Sequence, residues 1–452
     1  MRMKRLSTLA LGLAFLTCTV PAGLAAQTSS AETDKKIAEL EKQLEAVRTE
    51  LDALKPKAAA AAPVAAAAAP DAASAAVAAP AAAPSNPLAG ITSVLGGVNL
   101  TGLADVYYGY NANHPPLNFG GTGSEPFQFT NSQFSLNLIE LQLDKVPDKT
   151  APLGFRVALG FGQAMNAVNG TDPTNLSVAQ YLKEGYLSYM APIGKGLQID
   201  AGKFVTGAGA EVIETNQNWN YSRSLLFYYA IPYYHVGARA KYTFNDKWSL
   251  TGYAVNGWNN VVATNSGKTG GLGISYNATK KLSIIETYYG GPRDFFGTGN
   301  NGPWNHLTDT VIAYNATPKL SLQANIDYDF QEGYPRANKS ADYSGIAGYI
   351  KYAVSPVVAV AGRYEYFNDH DGLATNNLAN PVFPIGKGQH MNEFTGTIER
   401  KIAGHLLSRI EYRHDDSNQD FFKRGNGPSS FVKGQSTVDA GLVFVLEPND
   451  TK

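Results

Sequence analysis

The sequence is poor in cysteine, in charge and in long apolar runs, and each shortage excludes a class of protein. One Cys in 452 residues excludes a disulfide framework and a Cys-based zinc site. The net charge is −1, from 37 basic and 38 acidic residues. It argues against nucleic acid as a partner, because phosphate recognition needs a clustered surplus of Lys and Arg. From residue 91 onward no apolar run is long enough for a membrane-spanning helix. Residues 27–90 contain no aromatic residue, so this stretch and the rest of the chain must be read separately.

Residues 1–26 have the order of a secretory signal. Three basic residues among the first five precede an apolar stretch from 6 to 20, and small residues follow at 22–26. This order is typical of an export signal, and the apolar part is too short to span a bilayer. We expect cleavage near Ala25 or Ala26, which would remove Cys18 and leave a mature protein without cysteine.

Residues 27–57 contain a short heptad repeat, and residues 58–90 are an Ala- and Pro-rich linker. Between residues 34 and 55 the apolar positions are spaced alternately three and four apart, which predicts a coiled-coil helix stabilised by self-association. The alternative is an amphipathic helix packed on its own domain. Recurring prolines break an Ala helix and keep the linker extended. The heptad positions are Ile37, Leu40, Leu44, Val47, Leu51 and Leu54.

Residues 91–452 alternate between apolar and polar side chains. From 320 to 330 Leu, Ala, Ile, Tyr and Phe alternate with Ser, Gln, Asn and Asp, which indicates strands with one apolar and one polar face. A soluble sandwich also alternates. Three features favour a transmembrane barrel instead: short turns alternate with long loops, the segment YNAT recurs at 276–279 and 314–317, and aromatic residues collect at both strand ends.

The predicted fold is therefore all-β, a 16-stranded antiparallel transmembrane β-barrel whose apolar face contacts outer-membrane lipid. Side chains cannot fill a barrel of this size, so we expect an aqueous channel. In the second strand the apolar residues change face between 138 and 139, which predicts a bulge or a turn. The strands are expected at 98–111, 132–145, 153–163, 177–190, 196–205, 232–244, 247–257, 268–277, 281–290, 306–315, 319–330, 342–354, 357–369, 391–402, 405–415 and 434–446.

The longest connection, residues 206–231, is the candidate constriction of this channel, because selection acts through charge at the narrowest point. It carries Glu211, Glu214 and Arg223. If the connection folds into the barrel, its acids would face basic wall residues; if it projects outward, they are merely solvated. The strand register places the following residues on the channel wall: Arg156, His235, Arg239, Lys241, Arg363, Glu365, Arg409, Glu411 and Arg413.

The segment GKFVTGAGAEVIETNQNWNYSRSLLFYYAIPYYHVGARAKY at 202–242 resembles the OmpL-like putative beta-barrel porins of Gram-negative outer membranes. The resemblance continues in VNGWNN at 255–260, in RYEYFNDHDG at 363–372 and in residues 393–417, and it covers about 98–446. It implies a porin through which small hydrophilic solutes diffuse passively, with no cofactor and no bound metal. The segment 441–446 resembles a signal for the barrel-assembly machinery, but it ends on Leu, and six further residues follow.

Two functions of other classes are compatible with the sequence, a structural tether and a barrel enzyme. As a tether, the helix at 34–55 would link the barrel to the periplasmic cell wall; otherwise the helix suits a homotrimer in the periplasm. A barrel enzyme would need a nucleophile beside a His at the membrane edge. His235 lies in a motif block, but its register points it into the lumen. The segment 369–372 could hold a cation through oxygens, although an Asx-type turn is the commoner explanation.

Overall fold

The computed structural model of the chain describes residue 42 and residues 97–116, 127, 131–170, 172, 179–293, 301–334, 339–375, 387–402, 404–427 and 430–446. Sixteen long strands form a closed antiparallel barrel, which confirms the predicted fold class. The predicted signal, heptad helix and linker lie outside the described residues except for residue 42, and they stay predictions. In the described part of the chain, no helix is long and apolar enough to cross a membrane.

Each barrel strand pairs with its neighbours in sequence, and the first strand pairs with the last to close the barrel. Every predicted strand overlaps an observed one. A short hairpin of two extra strands stands between the fifteenth and the last barrel strand. The strands are β1 Asn99–Asn111, β2 Gln133–Lys145, β3 Leu153–Phe161, β4 Leu182–Ala191, β5 Leu197–Val205, β6 Tyr234–Thr243, β7 Trp248–Val255, β8 Thr269–Asn277, β9 Leu282–Pro292, β10 Trp304–Asn315, β11 Leu320–Glu332, β12 Ser340–Ala353, β13 Val358–Asp369, β14 Gln389–Ile402, β15 Leu406–Ser417, β16 Phe422–Lys423, β17 Phe431–Val432 and β18 Gly434–Leu446.

The side-chain pattern of the barrel is the reverse of that in a soluble protein. On β11 the apolar Leu322, Ile326 and Tyr328 are exposed, whereas Asp327 and Asp329 are buried inside. Successive side chains on a strand point to opposite faces, so the period-two pattern sends the apolar residues towards lipid and the polar ones into the lumen.

The predicted change of face in β2 is a β-bulge. Asp105 of β1 pairs with Leu138, and Val106 pairs with Leu136, so Asn137 is the extra residue. As a result Leu136 and Ile139 are both exposed outside, while Leu138 is buried inside. A bulge re-aims the side chains that follow it, which explains why a single strand carries two apolar registers.

Among the described residues of the connections there are three short helical segments: α1 Gln163–Asn169 after β3, and a 3₁₀ turn Thr215–Gln217 and a π-helical turn Leu226–Ala230 after β5. The buried face of α1 includes Met165. A Cβ on Gly160 would lie 2.7 Å from the Met165 sulfur, so glycine on β3 lets the helix approach the strand.

The height of the barrel wall is uneven. The six strands β3 to β8 have eight to ten residues. The other ten barrel strands have eleven to fourteen. The short strands are contiguous, so one side of the barrel is lower than the other.

Candidate functional site

The connection between β5 and β6, residues 206–233, lies inside the barrel; we call it the inner loop. The Ala210 N–H donates to the Asn325 side chain of β11 at 2.8 Å. The Thr215 hydroxyl donates to Asp105 of β1 at 2.7 Å. Both contacts reach inward-facing side chains, and Thr215 is fully buried. The inner loop therefore covers the inner surface of the wall that runs from β11 through β15 and β18 to β1, which we call the covered wall.

Three arginines of the covered wall bind carbonyl groups of the inner loop. Arg363 lies on β13, and Arg409 and Arg413 lie on β15; each is 1 % exposed. The loop has little regular secondary structure, so its buried carbonyls need donors from elsewhere, and a guanidinium offers five N–H groups. The acceptors of Arg363, Arg409 and Arg413 include the carbonyl oxygens of Ser222, Asn218 and Arg223, at 2.8, 2.7 and 2.6 Å respectively.

Two carboxylates of the covered wall bind N–H groups of the inner loop. Glu411 accepts from the backbone of Tyr221 at 2.5 Å and of Ser222 at 2.8 Å. Glu365 accepts from two successive residues further on, Leu225 and Leu226, at 3.0 and 3.2 Å. Each acid thus accepts from two successive N–H groups that have no other partner in regular secondary structure, so the two acids fix the loop backbone at two points.

Glu211 of the inner loop lies against Arg363, one of the wall residues it was predicted to face. Their side chains are 2.7 Å apart, and Arg363 also contacts Glu365 at 3.1 Å and Glu393 at 2.9 Å. Glu211 accepts a further bond from the Ser224 N–H at 2.6 Å. All of these side chains are buried, so the cluster joins the loop to the wall and does not face the open channel.

Glu214 pairs with a residue that the sequence did not predict, Lys183 of β4. Lys183 also lies 2.5 Å from Glu140 of β2. Burial alone would raise the pKa of Glu214, but the Lys183 ammonium outweighs burial and lowers that pKa. Strict alternation puts Lys183 on the lipid face with Leu187. However, a bulge opposite Ala158 and Leu159 turns it inward, and no local change in the apolar pattern predicts this bulge.

Arg223 stabilises the inner loop from within. It donates to the carbonyl oxygens of Tyr221, at 3.0 Å, and of Ile213, and its guanidinium lies 5.2 Å from the ring centroid of Phe127. Burial lowers the pKa of Arg223. The side chain is 1 % exposed, so its charge is held inside the loop.

The opposite side of the lumen, from β3 to β7, is not covered in this way; we call it the open wall. Arg156 lies 3.4 Å from Glu184, with side-chain exposures of 33 % and 3 %. Arg239 lies 2.8 Å from Asp200, with exposures of 21 % and 5 %. Lys241 is exposed. Arg156, Arg239 and Lys241 therefore reach the channel, while the acids Glu184 and Asp200 are buried behind the two arginines.

His235 faces inward on β6 but does not line the channel. Its Nδ1 is 2.8 Å from the Gly257 carbonyl oxygen, and its ring centroid is 4.6 Å from that of Tyr289. The side chain is fully buried, so a solute cannot reach it.

The segment after β13 is organised by Asp369 as a turn. Its carboxylate accepts the N–H groups of Leu373 at 2.7 Å and Thr375 at 2.8 Å. A separate group brings possible metal ligands within 4.8 Å of one another, namely Asp342, His370 and Asp371. His370 is exposed, and exposed groups of this kind are common at protein surfaces without a metal.

Comparison with known proteins gives a family match. The family model described as "Putative beta-barrel porin-2, OmpL-like" matches residues 97–446, from just before β1 to the end of β18. No curated protein sequence matches the chain.

Several solved structures of outer-membrane proteins are similar to the chain. OmpT of Vibrio cholerae is 12 % identical, with a TM-score of 0.49, and covers 77 % of this chain and 97 % of its own. The outer membrane channel DcaP of Acinetobacter baumannii is 13 % identical, with a TM-score of 0.49 and the same two coverages. An anion-selective porin from Comamonas acidovorans is 10 % identical, with a TM-score of 0.48, and covers 77 % of this chain and 99 % of its own.

Proposed function

The chain belongs to the OmpL-like putative beta-barrel porin-2 family and is a channel porin of the outer membrane. From that premise we propose that small hydrophilic solutes diffuse passively through it, at a constriction formed by the inner loop. Glu211, Glu214 and Arg223 act there by holding the loop in shape. The solutes pass between the open wall and the surface of the inner loop that faces away from the covered wall.

The observation that carries this proposal is the unequal attachment of the inner loop, which makes most of its described contacts to the covered wall and is held on the side of β4 by the pair of Glu214 with Lys183. Arg363, Arg409 and Arg413 hold it at the covered wall, while Arg156 and Arg239 on the other side keep part of their surface free. A loop held mainly at one side of a barrel narrows the channel without closing it. Charges at such a narrowing act on passing solutes more strongly than charges in the wide parts.

A catalytic role for the barrel has little support. His235 was the candidate, and the Tyr289 ring and the Gly257 carbonyl enclose it. A general base must lie within hydrogen-bond reach of its substrate. We therefore infer a channel without enzymatic activity.

We also propose that the chain self-associates, with three copies joined in part by the heptad helix at 34–55. An even number of strands places both barrel ends on the side of the short turns, so the helix belongs in the periplasm. Contact of this helix with the cell wall is the alternative role. The barrel-assembly machinery would insert the barrel, through the segment at 441–446.

Planar-bilayer recording tests the channel. Purified full-length protein should produce stepwise increases in conductance. A variant with bulky substitutions at Arg156 and Arg239, for example both to Trp, should produce smaller steps, because these side chains border the free path. A protein that gives no steps at any voltage would contradict the proposal.

A further inference from the structure

A cavity lies between the inner loop and the covered wall, at the end of the barrel that carries the short turns. Its volume is about 210 Å³. Sites for drug-sized ligands have volumes of about 300–1,000 Å³, so this cavity suits a small solute. We call it the mouth cavity. The residues that line it include Asn216 of the 3₁₀ turn, Lys351 of β12, Glu399 and Lys401 of β14, His405 of the next turn and Leu407 of β15.

The one acid among the described residues that line the mouth cavity is already bound by two cations. The Glu399 carboxylate lies 2.5 Å from the Arg409 guanidinium and 3.1 Å from the Lys351 ammonium. One negative charge is thus shared by two positive charges. An ammonium group has three N–H donors, and the side chain of Lys351 is 27 % exposed, so its contact with Glu399 leaves it able to bind a solute.

Lys401 adds a third cation to this group. It follows Glu399 by two positions on β14, so both side chains are on the inward face of the strand, and it is exposed. Within the described part of the chain, no acid lies within ion-pair distance of its ammonium group. Arg409, Lys351 and Lys401 therefore stand against a single carboxylate, which leaves an excess of two positive charges at the mouth cavity.

Asn216 borders the mouth cavity from the side of the inner loop. Its Oδ1 atom is buried and has no hydrogen-bond donor among the described residues. Buried polar atoms are normally hydrogen-bonded, either within the protein or to another molecule, and a side-chain amide offers both a donor and an acceptor end. The mouth cavity thus combines small size, excess positive charge and a polar group that the protein does not satisfy.

We propose that the mouth cavity binds a small oxyanion, a carboxylate or phosphate compound with two negative charges. Its oxygens accept hydrogen bonds from the ammonium groups of Lys351 and Lys401 and balance the two excess charges. Lysine acts as a point charge and lacks the planar fork of arginine, so the cavity selects charge and size. The inference rests on the proposed diffusion of hydrophilic solutes and names the class of solute that the channel retains beside the inner loop.

The test is titration calorimetry of the purified full-length protein in detergent micelles. Succinate and inorganic phosphate are separate probes, and glycerol is the uncharged comparison. We expect saturable binding of an oxyanion and none of glycerol, and the probe that binds more tightly identifies the preferred class. Binding of neither oxyanion, or equal binding of glycerol, would overturn the proposal.

Two substitutions of exposed lysines provide a matched pair. Lys401→Gln should weaken oxyanion binding several-fold, because it removes the cation that has no acidic partner, and Lys401→Arg should preserve binding. Lys280→Gln removes an exposed cation at the same end of the barrel, from the turn between β8 and β9, and should leave the affinity unchanged. Equal weakening by the two glutamine variants would assign the effect to the overall charge of the channel and overturn the site.

Conductance separates failure of this inference from failure of the channel proposal. In planar bilayers, succinate should interrupt the current of the wild type more often than that of Lys401→Gln. Regular conductance steps that succinate does not interrupt, without any heat of binding, would overturn the site and leave the channel standing. Saturable binding that depends on Lys401, without conductance steps, would overturn the channel and leave the site standing.

Discussion

The covered wall and the open wall carry the same kind of inward-facing side chains but use them differently. Arg363, Arg409 and Arg413 on the covered wall are 1 % exposed, whereas Arg156 and Arg239 on the open wall are 33 % and 21 % exposed. Strand register gives all five an inward direction. Whether they reach the channel depends on the inner loop, which covers the three arginines of the covered wall and leaves Arg156 and Arg239 partly exposed.

This difference has an energetic consequence. On the covered wall, removing one member of a buried ion pair leaves its partner charged and unpaired, which costs about 3–5 kcal/mol. On the open wall the arginine of each pair is partly solvated, and its buried acid keeps other hydrogen bonds, to the Val205 N–H for Glu184 and to Ser188 and Gln198 for Asp200. Removing the arginine should therefore cost less there than on the covered wall. Substitutions on the covered wall should therefore change stability, and those on the open wall should change permeation.

The largest effect is expected from Arg363→Met. It leaves Glu211, Glu365 and Glu393 without their shared cation and removes donors to the Ser222 carbonyl and hydroxyl. We expect a loss of about 3–5 kcal/mol in the free energy of unfolding. We also expect larger and noisier conductance steps, because the inner loop is no longer held. Urea unfolding in detergent micelles and single-channel recording measure the two effects.

The matched control is Arg156→Met, which makes the same chemical change on the open wall. Its loss of stability should be clearly smaller, because Arg156 is 33 % exposed and Glu184 keeps the hydrogen bond from the Val205 N–H at 3.3 Å. Equal losses for the two variants would remove the distinction between the walls.

A smaller effect is expected from Glu411→Ala on the covered wall. The substitution leaves the buried N–H groups of Tyr221 and Ser222 without their acceptor, and an unsatisfied buried donor costs about 1–3 kcal/mol. Hydrogen exchange of these two amides should accelerate, and the unfolding midpoint should fall. Unchanged exchange would mean that other groups hold this part of the loop.

The barrel itself could be predicted from the sequence because apolar and polar side chains alternate along its strands. The alternation of β11 and the change of face in β2 are local patterns, and both placed their side chains correctly. The role of the wall arginines could not be predicted this way. Their partners are backbone carbonyls such as those of Asn218 and Arg223, and every residue has a carbonyl, so the sequence carries no signal for them.

Lys183 shows a second limit. Its inward direction results from a bulge set by the pairing of β3 with β4. No local change of apolar pattern marks that bulge, in contrast to the one in β2. The pairing of β3 with β4 therefore determines that Lys183 is the cation that contacts Glu214.

On the open wall, Arg239→Gln should change permeation with little change in stability. Asp200 keeps its bonds from Ser188 at 2.7 Å and Gln198 at 2.9 Å, so its carboxylate stays hydrogen-bonded. Removal of the partly exposed cation should move the reversal potential in a salt gradient towards cation preference. Lys241→Gln should move it in the same direction. A reversal potential that is the same in both variants and in the wild type would place the narrowest point elsewhere.

The smallest effect at neutral pH is expected at the contact of Glu214 with Lys183, which fixes the inner loop on the side of β4. The pKa of Glu214 is lowered in the folded protein. The stabilisation from this carboxylate is therefore complete above its ordinary pKa of 4.5 and is lost as the pH falls through the lower folded value.

Conductance noise from the loop should rise only in that acidic range. Glu214→Gln should show the extra noise already at pH 7 and should lack this acid-dependent increase, while Lys183 keeps its contact with Glu140. The same acid response in both proteins would assign the titration to another group.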